Sequence, residues 1–157
     1  MLLEGGRALA SGPIADTLVR LDLPLAYFDD ASIVMEGVVT EHDDRYGLLS
    51  LLLPGGRAAL RFVHEPMEAG RQLRVTVKSR DVSLMTGIYE HEFSSVLNVL
   101  PAKVIEIADD ANPSQAVVRL DVDGSPLLAR VTRYSLGRQI AVGMQVWVQV
   151  KAVSLLA

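Results

Sequence analysis

The sequence predicts an all-β protein built from two small homologous units, and three observations carry that reading. From Ile33 onward the chain alternates or runs apolar in short stretches rich in Val, Leu and Ile, interrupted by Gly, Pro, Asn and Asp. That is the pattern of short strands in a sandwich or a barrel. The segment MEGVVTEHDDRYGLLSLLLPGG, Met35 to Gly56, lines up with PAKVIEIADDANPSQAVVRLDVDG, Pro101 to Gly124, and both read as strand, acidic turn, strand, turn. Asp43-Asp44 then matches Asp109-Asp110 at an offset of 66, and VSL at Val82 to Leu84 matches VSL at Val153 to Leu155 at an offset of 71. Loop length accounts for the drift.

Taken in order, the elements fall into three parts. In residues 1–30, LLEGGRALA reads as a β-hairpin around Gly5-Gly6. SGP, Ser11 to Pro13, is a turn, and ADTLVRLDLPLA, Ala15 to Ala26, places Leu18, Val19, Leu21 and Leu23 on one side of a short helix that Pro24 ends. This segment has no partner strands of its own and reads as the end of another domain. The first β-unit spans about 33–84 and the second about 96–157. LRVTVKSRDVSL in the first and VWVQVKAVSL in the second are alternating runs, each expected to close the sheet begun by its own hairpin. SLGRQIAVGMQV, Ser135 to Val146, reads as a short helical turn leading to Gly143 and the last strand, with HEPMEAGRQL its shortened counterpart. Units this small bury little apolar surface alone, so they are expected to pack on each other or on a second chain, and a dimer is expected.

Composition narrows the function. The chain has 157 residues, half of them apolar, a formal charge of −4 and 5% aromatics. A basic, aromatic-lined surface for single-stranded nucleic acid is therefore not supplied, and no nucleic-acid partner is expected. Cysteine is absent, which removes disulfides and thiolate metal sites and fits a reducing compartment. The apolar run LLSLLL, Leu48 to Leu53, is far short of the ~20 residues that span a bilayer. Glu4 and the lack of a leading basic cluster argue against a signal peptide. The expectation is a cytoplasmic protein with no direct membrane insertion.

The usual signatures of an active site are missing: there is no GxxxxGK[ST], GxSxG, GxGxxG or HExxH. No catalytic residue is assigned and no enzyme activity is expected of this chain. Three histidines lie in EHDD, Glu41 to Asp44, HEP, His64 to Pro66, and YEHE, Tyr89 to Glu92. Polar clusters between strands read as solvated turns rather than a metal site. An anion site has better support. A compact dianion needs hydroxyls, backbone N–H groups and one or two cations aimed inward. Ser94, Ser95 and Asn98 precede the strand that begins near Ala102, and Thr132, Arg133 and Ser135 follow the strand LLARV at a strand-to-helix junction. Each cluster also has a plain structural reading, as a linker or a solvated surface.

These residues resemble a known family. Over about 33–157 the chain resembles the tandem molybdate-binding (Mop, or TOBE) domains at the C-terminus of the ATP-binding subunit of molybdate ABC transporters. SSVLNVLPAKV stands where that family has its Ser-x-x-Asn segment, LLARVTRYSL where it has Ile/Val-Thr-Arg/Lys-x-Ser, and VWVQVKAVSLL closes the domain. LLEGGRALASGPIADTL in turn looks like the last hairpin and helix of the ATPase domain. The resemblance implies two OB-like five-stranded barrels. It further implies molybdate or tungstate bound at interfaces between barrels, no organic cofactor, a homodimer, and transporter permease subunits as partners of the parent protein. Carried over by motif, Ser95 and Asn98, with Ser94 beside them, come from the first segment and Thr132, Arg133 and Ser135 from the second. One departure is that Leu97 stands where many members have Arg, which removes a cation. The competing expectations are a free-standing molbindin, a structural tail of a sugar- or polyamine-type importer that binds no anion, and an OB-type nucleic-acid binder, which charge disfavours.

Overall fold

Alternation decides which side chains turn inward. In QLRVTVK, Leu73, Val75 and Val77 are buried while Gln72, Arg74 and Lys78 face solvent, the period of two that a one-sided strand requires. The computed structural model describes residues 2–4, 7–10, 31–87 and 94–156. β1 (Leu2–Glu4) and β2 (Arg7–Ala10) come first and pair antiparallel; the expected turn at residues 5–6 lies outside the described residues. The expected helix over 15–26 lies outside the described residues. Then come β3 (Ser32–Asp43), β4 (Leu48–Leu52), β5 (Ala59–Val63), β6 (Gln72–Lys78) and β7 (Val82–Met85). The repeat follows as β8 (Asn98–Asp109), β9 (Gln115–Val122), β10 (Ser125–Thr132), helix α1 (Arg133–Gln139), β11 (Gln145–Val150) and β12 (Ser154–Leu155).

The duplication is visible in the geometry. β3 and β8 both have 12 residues, and each carries a bulge at the matching place, between Val39 and Glu41 in one and between Val104 and Glu106 in the other. Such a bulge sharpens twist and lets a small sheet curl. At the same point in each unit a glycine in the left-handed region, Gly70 or Gly143, turns the chain and donates to the carbonyl of Val39 or Val104. The expected helical turn before Gly143 is α1, capped by Thr132.

The strand order corrects one expectation. The two five-stranded sheets run β12-β6-β3-β4-β5 and β10-β9-β8-β11-β7. The VSL run of each unit does not close its own sheet. β7 pairs with β11 of the second unit, and β12 pairs with β6 of the first. The connections explain why. A strand that folded back on its predecessor would need a tight turn with Gly or Asn at positive φ, and neither Ser79-Arg80-Asp81 nor Lys151-Ala152-Val153 supplies one. Ser79–Asp81 instead forms a 3₁₀ turn that carries the chain onward. The two crossing connections meet where Lys151 N–H donates to Asp81 C=O at 2.9 Å. In the second sheet the outer strands β10 and β7 come together and close the barrel.

The exchange gives both units one interior. Ile33, Leu49, Leu60 and Val75 of the first and Val104, Leu120, Leu127 and Val148 of the second belong to a single cluster of buried side chains. Each such residue contributes roughly 1.5–3 kcal/mol on burial. A second join is polar. The β9–β10 turn places Asp123 against the β4–β5 turn, where its carbonyl accepts from Gly55 N–H at 2.8 Å and its carboxylate from Arg57 and Ala58 N–H at 2.8 and 2.7 Å. The approach is so close that any side chain at Gly55 would collide with Asp123. Inside the second unit, Asp110 and Arg130 form an ion pair of 3.2 Å with side chains 2% and 6% exposed.

Two substitutions rank these contacts. Asp110→Ala, which takes the carboxylate out of a buried ion pair, is expected to cost roughly 3–5 kcal/mol of unfolding free energy. Asp123→Ala, which removes the carboxylate acceptor of two backbone N–H groups, is expected to cost about 1–3 kcal/mol. Urea denaturation curves measure both; a loss at Asp110 no greater than that of a surface aspartate would show that the pair is solvated.

Candidate functional site

Both halves of the expected anion site flank β8, at opposite ends. Asn98 is its first residue and Asp109, beside the second cluster, its last. Eleven steps of about 3.3 Å put roughly 35 Å of strand between them. Within one chain, therefore, Ser94, Ser95 and Asn98 do not converge with Thr132, Arg133 and Ser135.

At the near end, Ser94 and Ser95 are exposed and lead into the strand, and Ser94 Oγ accepts from Val96 N–H at 3.1 Å. Asn98 is only 5% exposed. Its Oδ1 accepts from Arg61 N–H at 2.8 Å and its Nδ2 donates to Arg61 C=O at 2.9 Å. A carboxamide carries an acceptor and a donor at the spacing of a peptide group, so Asn98 acts as one more strand residue along the outer edge of β5. Leu97 beside it is exposed, and the position that in the resembled family holds a cation carries no charge.

At the far end the donors are knit to each other. Thr132 has extended backbone geometry and caps α1, its Oγ1 accepting from Ser135 N–H at 3.2 Å, with the two hydroxyls 2.9 Å apart. Arg133 donates its backbone N–H to Ser114 C=O and pairs its guanidinium with the exposed Asp109 carboxylate. An anion entering here would compete with Asp109 for Arg133. All three residues are exposed, so the cluster presents a surface rather than an enclosed pocket.

Several structural contacts give no local sequence signal. Asp123 and its partners on the other unit are 65 and 66 positions apart, and Asn98 and Arg61 are 37 apart. His42 is another. Its ring lies between Asp44 and the His64 carbonyl with a side chain only 9% exposed, whereas the sequence placed it in a solvated turn. Two of the three histidine clusters thus meet, but the described residues contain no group of three His, Cys, Asp or Glu side chains able to hold a metal; YEHE lies outside the described residues. A groove of about 730 Å³, lined by the first unit and by Leu156 of the second and bordered by Arg71 and Arg74, includes none of the six candidates. No described helix is long and apolar enough to cross a membrane.

Comparison with known proteins places the chain. Residues 94–157 match the family model of the TOBE domain. The second unit is therefore similar to a TOBE domain. Over its whole length the chain is 57% identical to the molybdenum import ATP-binding protein ModC of Bordetella parapertussis and 49% identical to that of Pseudomonas aeruginosa, covering 42% and 43% of those proteins. It thus spans about two-fifths of the length of these curated relatives and corresponds to their C-terminal part. Among solved structures it is similar to the cytoplasmic molybdate-binding protein ModG in a form with molybdate bound. The TM-score is 0.62 at 23% identity, covering 78% of this chain and 95% of that one. That likeness shows the fold, two OB-like barrels, and the matched residues 94–157 include the strand β8 and both candidate clusters.

Asn98→Ala is expected to lower unfolding free energy by about 1–3 kcal/mol, because Arg61 N–H and C=O lose their partner at a half-buried edge. Asn98→Asp, which sets a carboxylate oxygen against the Arg61 carbonyl, should be no better. Stability equal to that of the unmodified chain in both variants would mean that the β5 edge stands without Asn98.

Proposed function

We propose that this chain is an oxyanion-binding regulatory module, taking molybdate or tungstate, and that it serves in the ATP-binding subunit of a molybdate importer at the cytoplasmic face of the inner membrane. The observation that carries the reading is the whole-length likeness to the molybdenum import proteins. The chain has no phosphate-binding loop, so ATP hydrolysis belongs to another part of such a subunit and the role here is to bind and to regulate.

The placement of the donors supports a site between copies. Because the two clusters sit at opposite ends of β8, two chains lying antiparallel bring Ser94, Ser95 and Asn98 of one beside Thr132, Arg133 and Ser135 of the other. Backbone N–H groups, hydroxyls and one guanidinium per half-site suit a compact tetrahedral dianion. Anion held across that interface favours whichever arrangement of the two subunits brings the halves together, by the difference in its affinity for the two arrangements. In a full importer the permease subunits would feel that shift through the ATPase pair.

A second reading has its own observation. Asn98, Thr132, Ser135 and Arg133 already have partners within the chain, as a purely structural tail would. Isothermal titration separates the two. Molybdate is expected to give saturable heat that sulfate and phosphate do not reproduce, and Ser95→Ala and Arg133→Ala are each expected to weaken it by about tenfold or more, one charge-assisted hydrogen bond or its equivalent. Absence of heat with every oxyanion leaves the structural tail.

A further inference from the structure

The acidic turn between β3 and β4 contains a contact with a fixed proton requirement. His42, near the end of β3, directs Nδ1 at the Asp44 carboxylate and Nε2 at the backbone carbonyl of His64, both at 2.7 Å. Both partners are acceptors. A neutral imidazole has only one N–H and can satisfy only one of them, whereas the imidazolium donates to both. With the side chain 9% exposed, water does not readily take the place of the lost bond. We propose that His42 is a proton-operated latch: as an imidazolium it holds the Asp44 carboxylate and the His64 carbonyl together between the β3–β4 turn and the chain leaving β5, and it gives up one of the two bonds when it loses its proton.

The groups around the ring fit this role. The His64 carbonyl is the largest influence and the Asp44 side chain the next, both favouring the charged ring, and the charges of Asp44 and Asp43 add to them. Burial opposes these but is outweighed, so the ring holds its proton above the ordinary histidine range. On the same turn the Arg45 guanidinium lies over the Tyr46 ring, 5.2 Å from its centre. From the facing segment comes the ring of His64, which is edge-on to Phe62 and bonded to the Glu65 backbone carbonyl. The latch closes a small circuit: His64 N–H donates to Gly47 C=O at 3.0 Å, and Gly47 N–H to Asp43 C=O at 2.7 Å. Loss of one His42 bond therefore weakens this circuit, in which Asp43 takes part through its carbonyl, while the backbone bonds remain.

The sign follows from linkage. A folded-state value raised above the unfolded one, about 6.5, stabilises fully below that pH, and the contribution disappears as pH rises through the folded midpoint. The Asp44 share also weakens with salt, since its carboxylate is 86% exposed, while the carbonyl share does not.

The test is an NMR titration of the whole chain that follows both ring nitrogens of His42. At pH 6 both should carry protons, with a midpoint above about 6.5. Exchange of the His64 amide should accelerate through that midpoint beyond the ordinary base-catalysed rise. Asp44→Asn should lower the midpoint without bringing it to that of a free histidine, because the His64 carbonyl remains. A singly protonated ring at pH 6, a midpoint at or below 6.5, or His64 exchange indifferent to the titration would each overturn the proposal. His42→Gln supplies a second readout: its melting temperature, compared with that of the unmodified chain, should differ most at pH 6 and converge as pH rises. A difference constant with pH would also overturn it.

Discussion

Everything in this structure depends on each sheet borrowing its last strand from the other unit. A sheet of four short strands leaves a polar edge and an uncovered apolar face, and neither half of this chain has the residues to make good both on its own. The exchange of β7 and β12 solves the problem twice with one device, since the same crossing that completes the sheets joins the two interiors into one. The polar joins then act on surfaces already held near each other. Asp123 and Asn98 each answer backbone groups of the other unit, at the β4–β5 turn and the β5 edge, and neither could find its partner without the crossing.

That arrangement bears on how the candidate anion site should be understood. Asn98 is both the first residue of β8 and a strand substitute for β5, so any ligand that engages it also reaches the seam between units. Thr132 and Arg133, at the far end, report on the mouth of the second barrel alone. A ligand that bridged the two kinds of position across copies would link the seam of one molecule to the barrel end of the next. Asp109, paired with Arg133, is the local counterweight that such a ligand would have to displace.

Much of this could be read in the sequence. The strand composition, the repeat, the turn at Gly143 and the pairing of Leu2–Glu4 with Arg7–Ala10 all follow from short-range rules of periodicity and turn chemistry, and the structure carries them. The destination of the VSL runs did not follow from those rules. Both runs are equally apolar and equally suited to either sheet, and only the geometry of the 79–81 and 151–153 connections decides between them. The candidate donors were found as residue types in the right order, but their separation along β8 is a fact of register. His42 shows the same gap in another form: a histidine in an acidic turn looks solvated until the carbonyl of His64, 22 positions later, is seen to cover it.

The strand exchange also sets a timetable. As the chain is made from its N-terminus, β3 to β6 appear before any strand of the second sheet, yet their sheet stays open along β6 until Ser154 and Leu155 emerge, whereas the strands β8 to β11 find β7 waiting for them. The older half is thus the last to be finished. A nascent chain held on the ribosome with only its first unit exposed would present an unpaired strand edge for the whole time the second is synthesised, the interval in which such edges attract other chains. Contacts this distant in sequence also slow closure, so the price of one shared interior is a long unprotected wait in the half that was built first.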